Sequence, residues 1–186
     1  ITVPSAYKEM RLWRNTSIKS IGVGQTATFP LGTLGNEWDS EQYPDSYPSG
    51  RITLSSTTYG GKTHKLSLYR HSSGALVFGA GTIQWSWGLD DKHDNGSASP
   101  SLDMQQATVN VLADMGVQPA TLMAGLTAAE ASTDNIAPTS VITSPVNTLL
   151  TVNIPITISG TVTDAGGGVV VGVEISLDGG ATWHAV

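Results

Sequence analysis

The 186 residues contain no cysteine. That excludes disulfides and thiol chemistry but leaves the compartment open, because cytosolic and many secreted bacterial proteins are both cysteine-poor. No apolar run approaches the ~20 residues that a bilayer-spanning helix requires, and no basic amphipathic stretch suits a membrane surface, so membrane insertion is not expected. Basic residues are missing from the second half: all nine Lys and Arg lie between Lys8 and Lys92. The first 92 residues carry a formal +2 (nine basic, seven acidic), and the remainder −8. Phosphate recognition needs clustered Lys and Arg, so nucleic acid is not an expected partner. The break in charge suggests two units of different origin. There is no initiator Met and no visible signal peptide; a chain opening at Ile1 is expected to be a segment of a longer protein.

What is present favours turns and strands. Twenty-one glycines and nine prolines punctuate a chain that is 39% hydrophobic. Met10 to Trp13 alternates like a strand, and Thr26 to Leu34 reads as a second, weak one. Residues 35–50 form a loop rich in breakers and aromatics. Arg51 to Thr57 and Thr63 to His71 alternate around Tyr59-Gly60-Gly61, a hairpin signature. Ala75-Leu76-Val77-Phe78 is a continuous apolar run, as in a strand buried on both faces. Ser99-Pro100 then reads as an N-cap with proline at the first helical position. Met104, Ala107, Val111, Leu112 and Met115 follow at helical spacing, and Gly116 fits the stop. Residues 75–116 therefore predict one α/β unit. Residues 128–140 have linker composition. Beyond them Ser140–Thr143, Ile154–Thr163, Val169–Leu177 and Ala181–Val186 read as β-branched strands of a partial immunoglobulin-like sandwich, too few to close it.

Several stretches carry a family resemblance: Leu12 to Thr16, Thr33 to Asp39, Leu68 to Arg70, Gly74 to Asp91, Met104 to Asn110 and Met115 to Thr121. The most specific is Gln84-Trp85-Ser86-Trp87-Gly88-Leu89-Asp90. Residues of about 7–126 resemble the C-terminal region of bacterial proteins similar to the large subunit of N,N-dimethylformamidase. Residues 136–186 resemble bacterial Ig-like repeats of long secreted proteins. The resemblance implies an α/β fold of the class I glutamine amidotransferase type, partial here, over residues 1–127. A linker at 128–140 and an all-β Ig-like segment at 141–186 would follow. It also implies hydrolysis of small amides at an iron held by tyrosines and a glutamate. Those ligands are expected outside this chain, so this chain holds no cofactor while the longer parent uses iron. The remaining domains of the parent are the expected partners, and the location is extracellular or cell-surface. The alternative is a non-catalytic extracellular binding, adhesion or assembly module. An unfinished sandwich exposes strand edges, so self-association through residues 140–186 is expected as well.

Glu37, in Asn36-Glu37-Trp38-Asp39, is the residue the resemblance marks as the acid/base carboxylate. An adjacent indole that partly desolvates a carboxylate suits it to proton transfer near neutral pH; the ordinary alternative is a surface glutamate bonded to backbone amides. His64 is a weaker catalytic candidate. On a straight strand His64 and His71 point to opposite sides, and two exposed histidines are the ordinary expectation. Asp90, Asp91 and Asp94, with His93, form a polar cluster that could hold a ligand or a cation; a solvated, helix-capping loop is favoured. Gly79-Ala80-Gly81 lacks the rest of a phosphate loop. Trp85 and Trp87 alternate and are expected to face one way, as core or as a sugar-stacking shelf. Ser86 sits in no nucleophile elbow.

Overall fold

Glycines and short Thr/Ser-rich runs produce short strands, and the computed structural model, which describes residues 1–43, 46–94 and 99–186, shows nothing longer than six residues in a strand. The chain divides into two units, Ile1–Ala131 with Val171–Val186, and Ser132–Val170.

In the first unit β1 (Thr2–Pro4) pairs with β2 (Thr26–Thr28). A three-stranded sheet has the order β3 (Ile52–Thr53), β6 (Ser67–Arg70), β7 (Leu76–Gly79). Between its strands, β4 (Thr57–Tyr59) and β5 (Lys62–His64) make a separate hairpin. Gly60 and Gly61 both have positive φ, 57° and 74°, as a two-residue turn of the favoured twist requires. One helix, α1 (Leu102–Asp114), follows. A last hairpin joins β10 (Glu174–Ile175) to β11 (His184–Ala185).

The expected α/β amidotransferase-like architecture is wrong. Every strand pairing among the described residues is antiparallel, and the parallel crossovers of that fold are absent from them. The run Ala75–Phe78 is not buried on both faces. It lies at the edge of its sheet, with Val77 exposed and Leu76 and Phe78 half-buried. Met10–Trp13 is not a strand either: Arg11–Trp13 is a 3-10 turn. So is Ile83–Gly88, which changes where its tryptophans point. With three residues per turn, Trp85 and Trp87 diverge. Trp85 enters the core, whereas Trp87 stacks on His93 with centroids 4.6 Å apart and planes 7° from parallel.

The core is organised on aromatic rings. Phe29 lies between Trp13 (5.7 Å) and Trp85 (6.1 Å, edge-on), and Phe78 meets Trp85 at 5.5 Å. Trp13 is fully buried and donates its indole N–H to the Leu54 carbonyl at 3.1 Å. Helix α1 supplies Met104, Ala107 and Val111 to the same core. Its cap is Ser101, whose hydroxyl accepts from the Met104 amide, rather than the expected Ser99. Pro100 therefore stands outside the helix. The stop at Gly116 is as expected. With φ of 82° it lets Gly116 N–H reach the Ala113 carbonyl and Val117 N–H the Leu112 carbonyl, both at 2.9 Å.

The second unit contains β8 (Thr139–Ser144) antiparallel to β9 (Ser159–Thr163). Every residue of this ladder except Val162 is exposed.

Candidate functional site

The breaker-rich stretch after Thr33 folds into a strap across the first unit. Gly35 sets its course: φ is 68°, and a Cβ there would lie 1.9 Å from Gln84 Oε1. Thr82 donates its hydroxyl to the Leu34 carbonyl at 2.7 Å. Trp38 then bridges to Thr82, Asp39 N–H donates to the Gly81 carbonyl at 2.8 Å, and Glu41 N–H donates to the Thr63 carbonyl at 2.9 Å. The strap is thus tied to the segment leaving β7 on one side and to β5 on the other.

His64 lies where these elements meet. It ends β5, and β6 begins only at Ser67, so the straight strand assumed for His64 and His71 is broken. His64 is fully buried, not exposed as expected. Its Nε2 is 2.9 Å from the Ala80 carbonyl, and the Trp38 ring meets it edge-on at 6.3 Å. Gly81 leaves room for the ring, since a Cβ there would come within 3.0 Å of Nε2. Burial pulls the imidazole's proton affinity below the usual histidine range, against the opposing influence of the Ala80 bond and of Asp39. His71 is exposed and pairs with the Ser73 hydroxyl at 2.8 Å.

Glu37 is exposed on the strap, and among the described residues no hydrogen bond or ion pair reaches its carboxylate. The structure therefore places Glu37 one residue from the indole that touches His64, with its carboxylate open to solvent. Sequence reasoning missed Glu41. This carboxylate is paired with Lys65 at 2.6 Å and with Arg51, whose guanidinium lies 4.0 Å over the Tyr47 ring. Burial alone would raise the Glu41 carboxyl, but hydrogen bonds from Lys65 and Arg51 outweigh it and hold the group below the usual range. Beside it an open cleft of about 500 Å³ is lined by Ser40, Glu41, Gln42, Gly61, Lys62 and Thr63. The cue was available: Glu41 lies in the 35–50 loop, and the two segments that follow, read from the sequence as alternating strands, carry Arg51 and Lys65.

The remaining candidates lie apart from the strap in their bonding. Asp90 is exposed and accepts from the Lys92 amide at 2.7 Å, an Asx turn. Asp91 pairs loosely with Lys92 at 3.6 Å, and Asp94 is exposed. Among the described residues no three His, Cys, Asp or Glu side chains are grouped to hold a metal ion. Ser86 bonds only weakly, to the Ile83 carbonyl at 3.4 Å.

No curated protein and no solved structure matches the chain. A family model described as "N,N-dimethylformamidase beta subunit-like, C-terminal" matches residues 2–97. That span begins before the resemblance read at residues 7–126 and stops short of α1. It covers more than half of the 186 residues and includes the whole strap, His64 and the Glu41 ion pairs, so the chain belongs to the N,N-dimethylformamidase beta subunit-like C-terminal family.

Proposed function

We propose that this chain is part of an enzyme that hydrolyses the C–N bond of small amides, with Glu37 as its proton-transferring carboxylate. The observation that carries the reading is the family match across a strap that fixes the Glu37 backbone from two sides while its carboxylate stays open. A general base must reach the water or amide nitrogen it serves, and a solvent-facing carboxylate on an anchored strap meets that need once a substrate or partner surface covers it. The family's description is of a subunit, so partner chains complete the assembly. Among the described residues no three His, Cys, Asp or Glu side chains are grouped as ligands for iron.

The test is steady-state hydrolysis of small N-alkyl formamides by the assembled enzyme. Glu37→Gln is expected to lower kcat by about a hundredfold or more with little change in KM. Equal kcat in the two proteins would remove Glu37 from the mechanism.

A second reading has its own observation. The exposed β8–β9 ladder has free edges, which suits a surface-located assembly or adhesion module that recruits a strand from another copy. Light scattering of the chain at high concentration decides: concentration-dependent dimers that vanish when prolines are placed in β8 support it, and a monomer at every concentration rejects it.

A further inference from the structure

Among the described residues, His64 is the most completely buried ionisable side chain, and the proposed chemistry does not use it. The Ala80 carbonyl can only accept a hydrogen bond, so Nε2 carries the ring's proton. Nδ1 is left as a bare lone pair, buried and without a hydrogen-bond partner. A second proton can go only to Nδ1, and the new N–H would meet no acceptor in the closed arrangement.

The charges around the ring are few. From the strap the Asp39 carboxylate favours protonation of the ring. The segment leaving β7 offers only the Ala80 carbonyl. On the histidine's own side Lys62 is exposed and Lys65 is neutralised by Glu41.

We propose that His64 is a proton-operated latch for the strap. In the neutral form the ring packs under Trp38 and leaves the Trp38–Thr82 and Asp39–Gly81 attachments intact. A proton taken up from solvent at Nδ1 requires an acceptor. Either water enters beneath the strap or the strap shifts to bring the Asp39 carboxylate inward, and in this proposal that movement opens the backbone bond from Asp39 N–H to the Gly81 carbonyl. The strap is then fixed at neutral pH and loosened in acid. This rests on the strap's geometry and is independent of the role proposed for Glu37.

The experiment is NMR on the full chain between pH 8 and pH 5, following the His64 ring nitrogens and amide exchange at Asp39 and Glu41. His64 is expected to titrate below the usual histidine range. Protection of both amides should fall about tenfold with the same midpoint. In a His64→Gln chain that folds, the pH-dependent loss should disappear. Asp39→Asn, a change at an exposed position, should lower the His64 midpoint by about half a pH unit. Protection that stays constant while His64 titrates would overturn the latch. So would a loss that persists in the glutamine variant, or an Asp39→Asn midpoint equal to that of the wild type.

Discussion

Trp13 shows how much a single side chain contributes here. It is fully buried, packs on Phe29 and satisfies the Leu54 carbonyl. Trp13→Phe keeps most of the apolar contact but leaves that carbonyl without its donor, so a loss of about 1–3 kcal/mol is expected in urea unfolding. Trp13→Ala should cost about 3–5 kcal/mol. Gly88 tests the opposite limit. A Cβ there would lie 2.2 Å from the Met104 sulfur, so Gly88→Ala should destabilise by about 1–3 kcal/mol through overpacking. Combined with Met104→Ala it should cost less than the two single changes sum to, because the two sites share one space. At this scale the sequence was informative about residue type and silent about surroundings. His64 was legible as a candidate, but its burial depends on Ala80 and Trp38, which come from distant parts of the chain. Glu37 could be named only through a family resemblance, since its own neighbourhood is open.

Among the elements, α1 was the most legible. Its glycine stop is where the sequence put it and Met104, Ala107 and Val111 are buried as expected, but Leu112 and Met115 are exposed and the cap moved from Ser99 to Ser101. Ser101→Ala should therefore cost about 1 kcal/mol, and Ser99→Ala close to none; parallel thermal melts would show the difference. The Tyr59–Lys62 turn was legible for the same reason, because its two glycines leave little choice of geometry. Short segments were not. Four residues such as Met10–Trp13 fit an alternating strand and a 3-10 turn equally well, and what decides is packing against α1. The β10–β11 hairpin offers a pH test. Its Asp178 accepts hydrogen bonds from the Thr182 hydroxyl and amide and from Ser176, which hold its carboxyl far below the usual range. A depressed folded value means that the contribution is complete above the unfolded Asp value of about 3.9 and is lost as pH falls below it. Asp178→Asn should thus weaken amide protection at Thr182 at neutral pH and flatten its dependence between pH 4 and pH 2.

For the whole molecule, the expected α/β class failed because an apolar tetrapeptide does not reveal which strand it pairs with. Leu76–Gly79 joins β6 antiparallel at a sheet edge, and a parallel crossover never forms among the described residues. The division of the chain has its own consequence. A two-stranded ladder with almost no buried side chain is marginal in water, so β8 and β9 amides should exchange by local opening. Amides of α1 and β6 should exchange only with global unfolding of their unit; mass-resolved hydrogen exchange distinguishes the two. Stability of the first unit should also fall as pH drops below about 6.5. Burial lowers the folded His64 value, so the unfolded chain takes up the proton first.

The dry aromatic stack supplies a built-in optical gauge. Two of the five indoles, Trp13 and Trp85, are locked in the interior by bonds to the Leu54 carbonyl and the Thr108 hydroxyl. Trp183 is half open to solvent. Near-ultraviolet dichroism should be dominated by the locked pair and vanish when the interior melts, while quencher-accessible emission follows the periphery. One unlabelled sample can therefore report loss of the core and fraying of the surface separately.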